Sequence, residues 1–132
     1  RIKANRDRGN DVSNISFKDI TMEGVKVSIL ISEYYPKTLP GKEVTAMPVQ
    51  RLTPHFHDIT IENLKSVDSA WAGVIIGLPE SPVKNMVLKN VHIQAKKGMT
   101  IAYATVTGTN VNITAAEGKG ITVDPTATVS IQ

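Results

Sequence analysis

Arg1 and Lys3 stand two positions apart, a spacing that puts both side chains on one face of a strand. Together they offer a planar guanidinium fork and a compact point charge, a pairing suited to a carboxylate. The segment they open, residues 1–11, also holds Arg6 and Arg8 beside Asp7 and Asp11. A charged run of this kind can equally be a solvated turn ahead of the first full strand, so spacing alone leaves both readings open. Asp7 and Asp11 are the carboxyls nearest the cations, but nothing in their placement marks them as the acid and base that a hydrolysis requires. His55 and His57 share a face, and His92 follows about one repeat later. Zinc needs three or four converging ligands, so these read as solvent-facing histidines around an inward Phe56, with no metal or cofactor expected. The chain has no cysteine, which excludes thiol chemistry and a disulfide framework.

These residues are carried by a repeated element. Val12-Ser13-Asn14-Ile15-Ser16-Phe17-Lys18-Asp19-Ile20 recurs as Phe56 to Leu64 and again as Val83 to Val91. Each copy alternates apolar and polar residues with the period of a strand. Each also carries Asn or Asp at two fixed positions: Asn14, Asp58 and Asn85 at the first, Asp19, Asn63 and Asn90 at the second. These types tolerate left-handed dihedrals, and the apolar residue that follows returns the chain to the core after a sharp corner. Their recurrence predicts ladders in which polar side chains satisfy neighbouring groups at the turns. A fading copy follows: Asn110-Val111-Asn112-Ile113 echoes Asn90-Val91-His92-Ile93, and at the same offset of about 20 residues Ile121-Thr122-Val123 echoes Ile101-Ala102-Tyr103.

Units of roughly 20–27 residues with several short strands apiece mark a solenoid. The expected fold is all-β: one right-handed parallel β-helix domain of about four rungs over residues 1–132, its hand set by the general rule for parallel crossovers. Residues 36–54 contain four of the seven prolines and read as a loop inserted on the first rung. The tail from Thr105, rich in Thr, Ala and Gly, fits thinning terminal rungs with a polar cap.

The composition of 132 residues is 41% hydrophobic but only 5% aromatic, which suits a narrow core of stacked aliphatic side chains. A net charge of +3, scattered beyond residue 8, does not point to nucleic acid. No apolar run approaches the roughly 20 residues of a membrane-spanning helix, and the charged opening is unlike a signal peptide.

Arg1-Ile2-Lys3, then Arg8-Gly9, then the first repeat copy, together resemble the C-terminal part of glycoside hydrolase family 28, the polygalacturonases and related pectin-degrading enzymes. Ile29 to Pro36, Pro54 to Ile61 and Gly73 to Pro82 are similar to bacterial-type members. The resemblance implies a right-handed parallel β-helix, inverting hydrolysis of galacturonan, and a secreted or periplasmic setting. It also implies that Arg1 and Lys3 engage the carboxylate of an acidic polysaccharide, with a tyrosine one rung later, Tyr34 or Tyr35, completing the subsite. Both tyrosines can instead pack at the edge of the 36–54 loop, and Trp71 can stack on a sugar or cover a corner. The family's Asn-Thr-Asp, Asp-Asp and Gly-His-Gly motifs, which carry its catalytic carboxylates upstream of Arg-Ile-Lys, do not occur in this sequence. The chain therefore reads as the C-terminal portion of a longer β-helix, with a remnant acidic-sugar site and no catalytic residue assigned. The alternative is a non-catalytic carbohydrate-binding or structural module. A first rung left uncovered, with Ile15, Phe17, Ile20 and Met22 along its edge, predicts a homo-oligomer joined through the N-terminal end.

Overall fold

A single left-handed residue can redirect a strand while its neighbours go on pairing with the adjacent strand, and this device organises the chain. The structure, a computed structural model, describes residues 1–35 and 44–132. Its strands are β1 (Ile2–Lys3), β2 (Asp11–Glu23), β3 (Val27–Ser32), β4 (His55–Ile76), β5 (Val83–Ala102), β6 (Ala104–Val123) and β7 (Thr128–Ile131). Every pairing between these strands is parallel, in the order β1-β3-β4-β5-β6-β7, with β2 also paired to β4. The described residues contain no helix, so the protein is all-β with a parallel sheet. Residues 44–54, the described part of the proline-rich segment, form no strand; Pro36 and Pro40 lie outside the described residues.

The sequence predicts several short strands per unit, whereas β4, β5 and β6 run for 22, 20 and 20 residues. The reason lies at the corners. Asp58, Asn63 and Asp68 in β4 have φ of +56°, +55° and +56°, and Asn85, Asn90 and Asn110 follow at +50° to +52°. Each bends the backbone in one residue, so the hydrogen-bonded ladder continues around the corner. Both predicted Asn/Asp positions are left-handed in all three copies, Asn14 and Asp19 included at +56°. Asn63 Nδ2 donates to Asp19 Oδ1, Asn90 Nδ2 to Asn63 Oδ1 and Asn110 Nδ2 to Asn90 Oδ1, each at 2.9 Å. A second ladder joins Asn85 Nδ2 to Asp58 Oδ1.

Between the corners, equivalent apolar residues stack. Ile15 pairs with Ile59, Ile59 with Met86 and Met86 with Val106; Ile20, Leu64, Val91 and Val111 form a parallel row. Ile59, Met86, Leu88, Val91 and Ile101 are fully buried, each removal from water contributing about 1.5–3 kcal/mol. Burial fades towards both ends, with Ile15, Phe17 and Ile20 only half-buried and Val123 exposed.

One predicted alignment is displaced. Ile121 pairs with Met99, and Val123, not Ile121, pairs with Ile101. Between Lys97↔Glu117 and Met99↔Ile121, β6 holds two residues more than β5. They are accommodated by Gly118 at φ +75° and by Gly120, where an added Cβ would lie 1.9 Å from the Ile113 carbonyl oxygen. A slip of two keeps the in–out alternation intact, which is why the apolar pattern did not reveal it.

A buried carboxyl ties β3 to β4. Glu33, fully buried just after β3, accepts a 2.6 Å bond at Oε1 from the Phe56 amide, while its own amide donates to the Ile76 carbonyl. Its Oε2 has no hydrogen-bonding partner among the described residues. Desolvation pushes the carboxyl up from an ordinary 4.5 to about 8, against the opposing pull of the Phe56 and Leu78 amides and of Lys84. At neutral pH Glu33 is therefore protonated.

Two outcomes are expected from this architecture. Asn90→Ala should cost about 2–3 kcal/mol in denaturant unfolding, from a left-handed non-glycine residue and two lost ladder bonds; Asn90→Gly, which keeps the dihedral, should cost about half as much. Glu33 contributes stability that is fully present below 4.5 and is lost as pH rises to about 8, by on the order of 4 kcal/mol. Melting temperature should accordingly fall between pH 5 and pH 8, and Glu33→Gln, which keeps the acceptor for Phe56, should flatten that slope.

Candidate functional site

The N-terminal cations reach their place because β1 adds to the edge of β3, with Ile2 against Ile31 and Lys3 against Ser32. Ile2 turns towards the core, leaving Arg1 and Lys3 exposed on either side of it. The Ala4 amide then bonds to Ser32 O at 2.9 Å and the Tyr35 amide returns to Ala4 O at 3.1 Å, which brings the two segments together again. Lys3 Nζ consequently lies 4.0 Å from the centroid of the Tyr35 ring, well within cation–π range.

Tyr34 takes a different neighbour. Its ring lies 5.7 Å from the Arg6 guanidinium, and Arg6 is engaged by Glu80 through a fork of two bonds, Nε to Oε1 at 2.6 Å and Nη2 to Oε2 at 2.9 Å. Arg6 Nη2 also donates to Thr45 O at 2.6 Å. Burial would push the Glu80 carboxyl up, but the bond and charge of Arg6 outweigh it and hold it below its ordinary value. The two charges are thus spent on each other. They are 74 residues apart in sequence, with no local pattern to announce the pair.

Arg1 and Tyr35 stand in an open groove of about 710 Å³ that continues over the outer faces of β3, β4, β5 and β6. Its floor includes Leu30, Val74, Thr100 and Thr122, which are successive partners across the sheet. Beside it, Tyr34, Arg6 and Glu80 line a smaller pocket of about 330 Å³, and Tyr35 borders both. Of the four residues singled out in sequence, Arg1 and Tyr35 therefore line the groove and Lys3 adjoins it through its contact with Tyr35, whereas Tyr34 faces the Arg6–Glu80 pair.

The histidines are dispersed. Ser81 Oγ donates to the Pro54 carbonyl at 2.7 Å, so its 2.6 Å contact with His55 Nδ1 requires the histidine to be the donor. Such a serine is not activated as a nucleophile. His57 bridges Asp58 through Nδ1 at 2.6 Å and Asp11 through Nε2 at 2.9 Å, and the bond to Asp58, then that to Asp11, raises its pKa above the ordinary value. His92 meets Asn90 Oδ1 at 3.1 Å. Among the described residues no three His, Cys, Asp or Glu side chains form a group that can hold a metal ion.

The residues lining the groove include one carboxylate, Glu117. Asp7 borders the smaller pocket, and Asp11 is committed to His57. Inverting glycoside hydrolysis uses two carboxyls about 6.5–9.5 Å apart across a sugar; of the two carboxyls lining the smaller pocket, Asp7 and Glu80, the second is held by Arg6.

No curated protein and no solved structure matches the chain. The model of the family described as glycosyl hydrolases family 28 matches residues 1–116, most of its length and all of the elements from β1 through β5. With its parallel all-β architecture and its Arg-Ile-Lys segment docked on β3, the chain belongs to glycosyl hydrolase family 28.

Proposed function

We propose that this polypeptide is the C-terminal portion of a pectin-degrading, polygalacturonase-like hydrolase, folded as a right-handed parallel β-helix of about four rungs. The Arg1, Lys3 and Tyr35 cluster holds the carboxylate of an acidic sugar, and rungs upstream of Arg1 supply the catalytic carboxyls. The observation that carries this reading is Lys3 Nζ poised 4.0 Å from the ring of Tyr35, which lines the groove together with Arg1. A uronate there can receive the fork of Arg1 and the point charge of Lys3 while its ring lies against an aromatic face. The groove's single lining carboxylate favours a second reading, that of a non-catalytic module binding acidic glycan. In either case the partner is an acidic, galacturonan-like polysaccharide and the setting secreted or periplasmic.

Association belongs to the same proposal. Among the described residues β1 and β2 each pair with one strand only, and the half-buried Ile15, Phe17, Ile20 and Met22 lie along the open side. In the longer protein the upstream rungs cover this edge; in the chain on its own a second copy covers it, which stabilises both chains.

Calorimetry with oligogalacturonate and a reducing-sugar assay test the functional reading together. Affinity should fall about tenfold or more in Arg1→Ala, Lys3→Ala, since a charge-assisted bond to carboxylate contributes about 1.5–3 kcal/mol. The chain alone should release no reducing ends. Equal affinity for neutral and acidic oligosaccharides overturns the acidic-sugar site. Robust turnover abolished by mutating an acidic residue of this chain overturns the assignment of the catalytic carboxyls upstream. Light scattering at micromolar concentration should give a multiple of 14.3 kDa, and a monomer mass refutes the association.

A further inference from the structure

We propose that Trp71 and Lys97 form a second uronate subsite farther along the groove, so that an acidic oligosaccharide lies across the strands from β1 towards β5. The inference rests on the reading of Arg1, Lys3 and Tyr35 as an acidic-sugar site and extends it to residues that the reading does not use.

Trp71 on β4 pairs in register with Lys97 on β5. Both are exposed, Trp71 at 38%, and Lys97 Nζ lies 5.5 Å from the indole ring. They line the same groove as Arg1 and Tyr35, joined to them by the floor of Leu30 and Val74. A uronate ring has an apolar C–H face and one carboxylate at its rim. Stacking that face on the indole brings the carboxylate within reach of the ammonium beside it.

Charge points to the same class of ligand. The groove carries Arg1, Lys26, Lys97 and Lys119 against Glu117, a net of +3. The whole chain has fifteen basic and twelve acidic residues, so the remaining eleven of each cancel. The entire formal excess of the protein thus lies along one groove, where it attracts a polyanion and disfavours a neutral glycan.

Two strand spacings separate β1 from β4, and Trp71 stands three positions before Val74, which places the two subsites on the order of 14 Å apart. A disaccharide cannot span them, whereas a hexasaccharide can.

Trp71 is the sole tryptophan, so its emission reports on this position alone. Hexagalacturonate should shift that emission and bind about tenfold more tightly than digalacturonate. By calorimetry, Trp71→Ala should reduce hexamer affinity to near the dimer value while leaving the dimer unchanged, and Trp71→Phe, which keeps a ring, should retain most of the gain. Lys97→Gln should weaken the hexamer selectively. Hexamer binding with unchanged emission and no loss in Trp71→Ala overturns the second subsite while the first survives. A Trp71→Ala protein that loses melting temperature while Trp71→Phe and Lys97→Gln keep full hexamer affinity assigns Trp71 to covering the corner and also overturns it. Failure of both oligomers to bind the unaltered protein overturns the acidic-sugar reading and the second subsite with it.

Discussion

Left-handed Asn and Asp residues, stacked from strand to strand, hold the corners of successive strands in line. A residue at φ near +55° is sterically costly for most side chains, and a row of them accumulates that cost unless something offsets it. Here the side chains offset it by bonding one another, from Asp19 through Asn63 and Asn90 to Asn110. The separations along this row shrink from 44 to 27 to 20 residues. The corners therefore remain aligned while the chain between them varies greatly in length. That separation of roles lets the proline-rich segment and the extra residues at Gly118 and Gly120 be absorbed without disturbing the buried rows of Ile, Leu and Val.

The groove inherits its form from this regularity. Parallel strands in register present equivalent outward positions side by side, so a single cation or aromatic per strand becomes part of a continuous surface. Lys3 meets Tyr35 because β1 docks on β3, and Trp71 meets Lys97 because β4 and β5 pair there. Neither pair is encoded by local spacing. Nearby, Arg6 and Glu80 show the contrasting use of charge: partly buried and bonded to each other, they clasp the 4–10 segment to the turn after β4 and leave no net charge for a ligand. Exposed cations without such a partner are what a polyanion can use.

Glu33 is a different compromise. A carboxyl with no solvent contact replaces a strand partner for Phe56 at the point where β4 begins, and it can do so at low cost only while protonated. It sits next to Tyr34 and Tyr35, so the segment that presents both aromatic rings is anchored by a group whose charge state depends on pH.

The strand character of the chain, the two left-handed corners of each copy and the inward set of Ile15, Ile59, Met86 and their neighbours are legible in the amino-acid order. All of these follow from short-range chemistry: alternation at period two, and the tolerance of Asn and Asp for positive φ. The same order marks Arg1 and Lys3 as a pair on one face. That strands continue through the corners is settled in the folded molecule, because it depends on hydrogen bonds to the next strand. So is the pairing of β6 two residues out of the expected phase beyond Glu117, a slip invisible to an alternating pattern. The assignment of Tyr35 to Lys3 and of Tyr34 to Arg6 was beyond sequence reasoning for the same reason. Adjacent residues differ in partner only through what the fold carries up to each of them, and here that is β1 for one tyrosine and the Glu80 turn for the other.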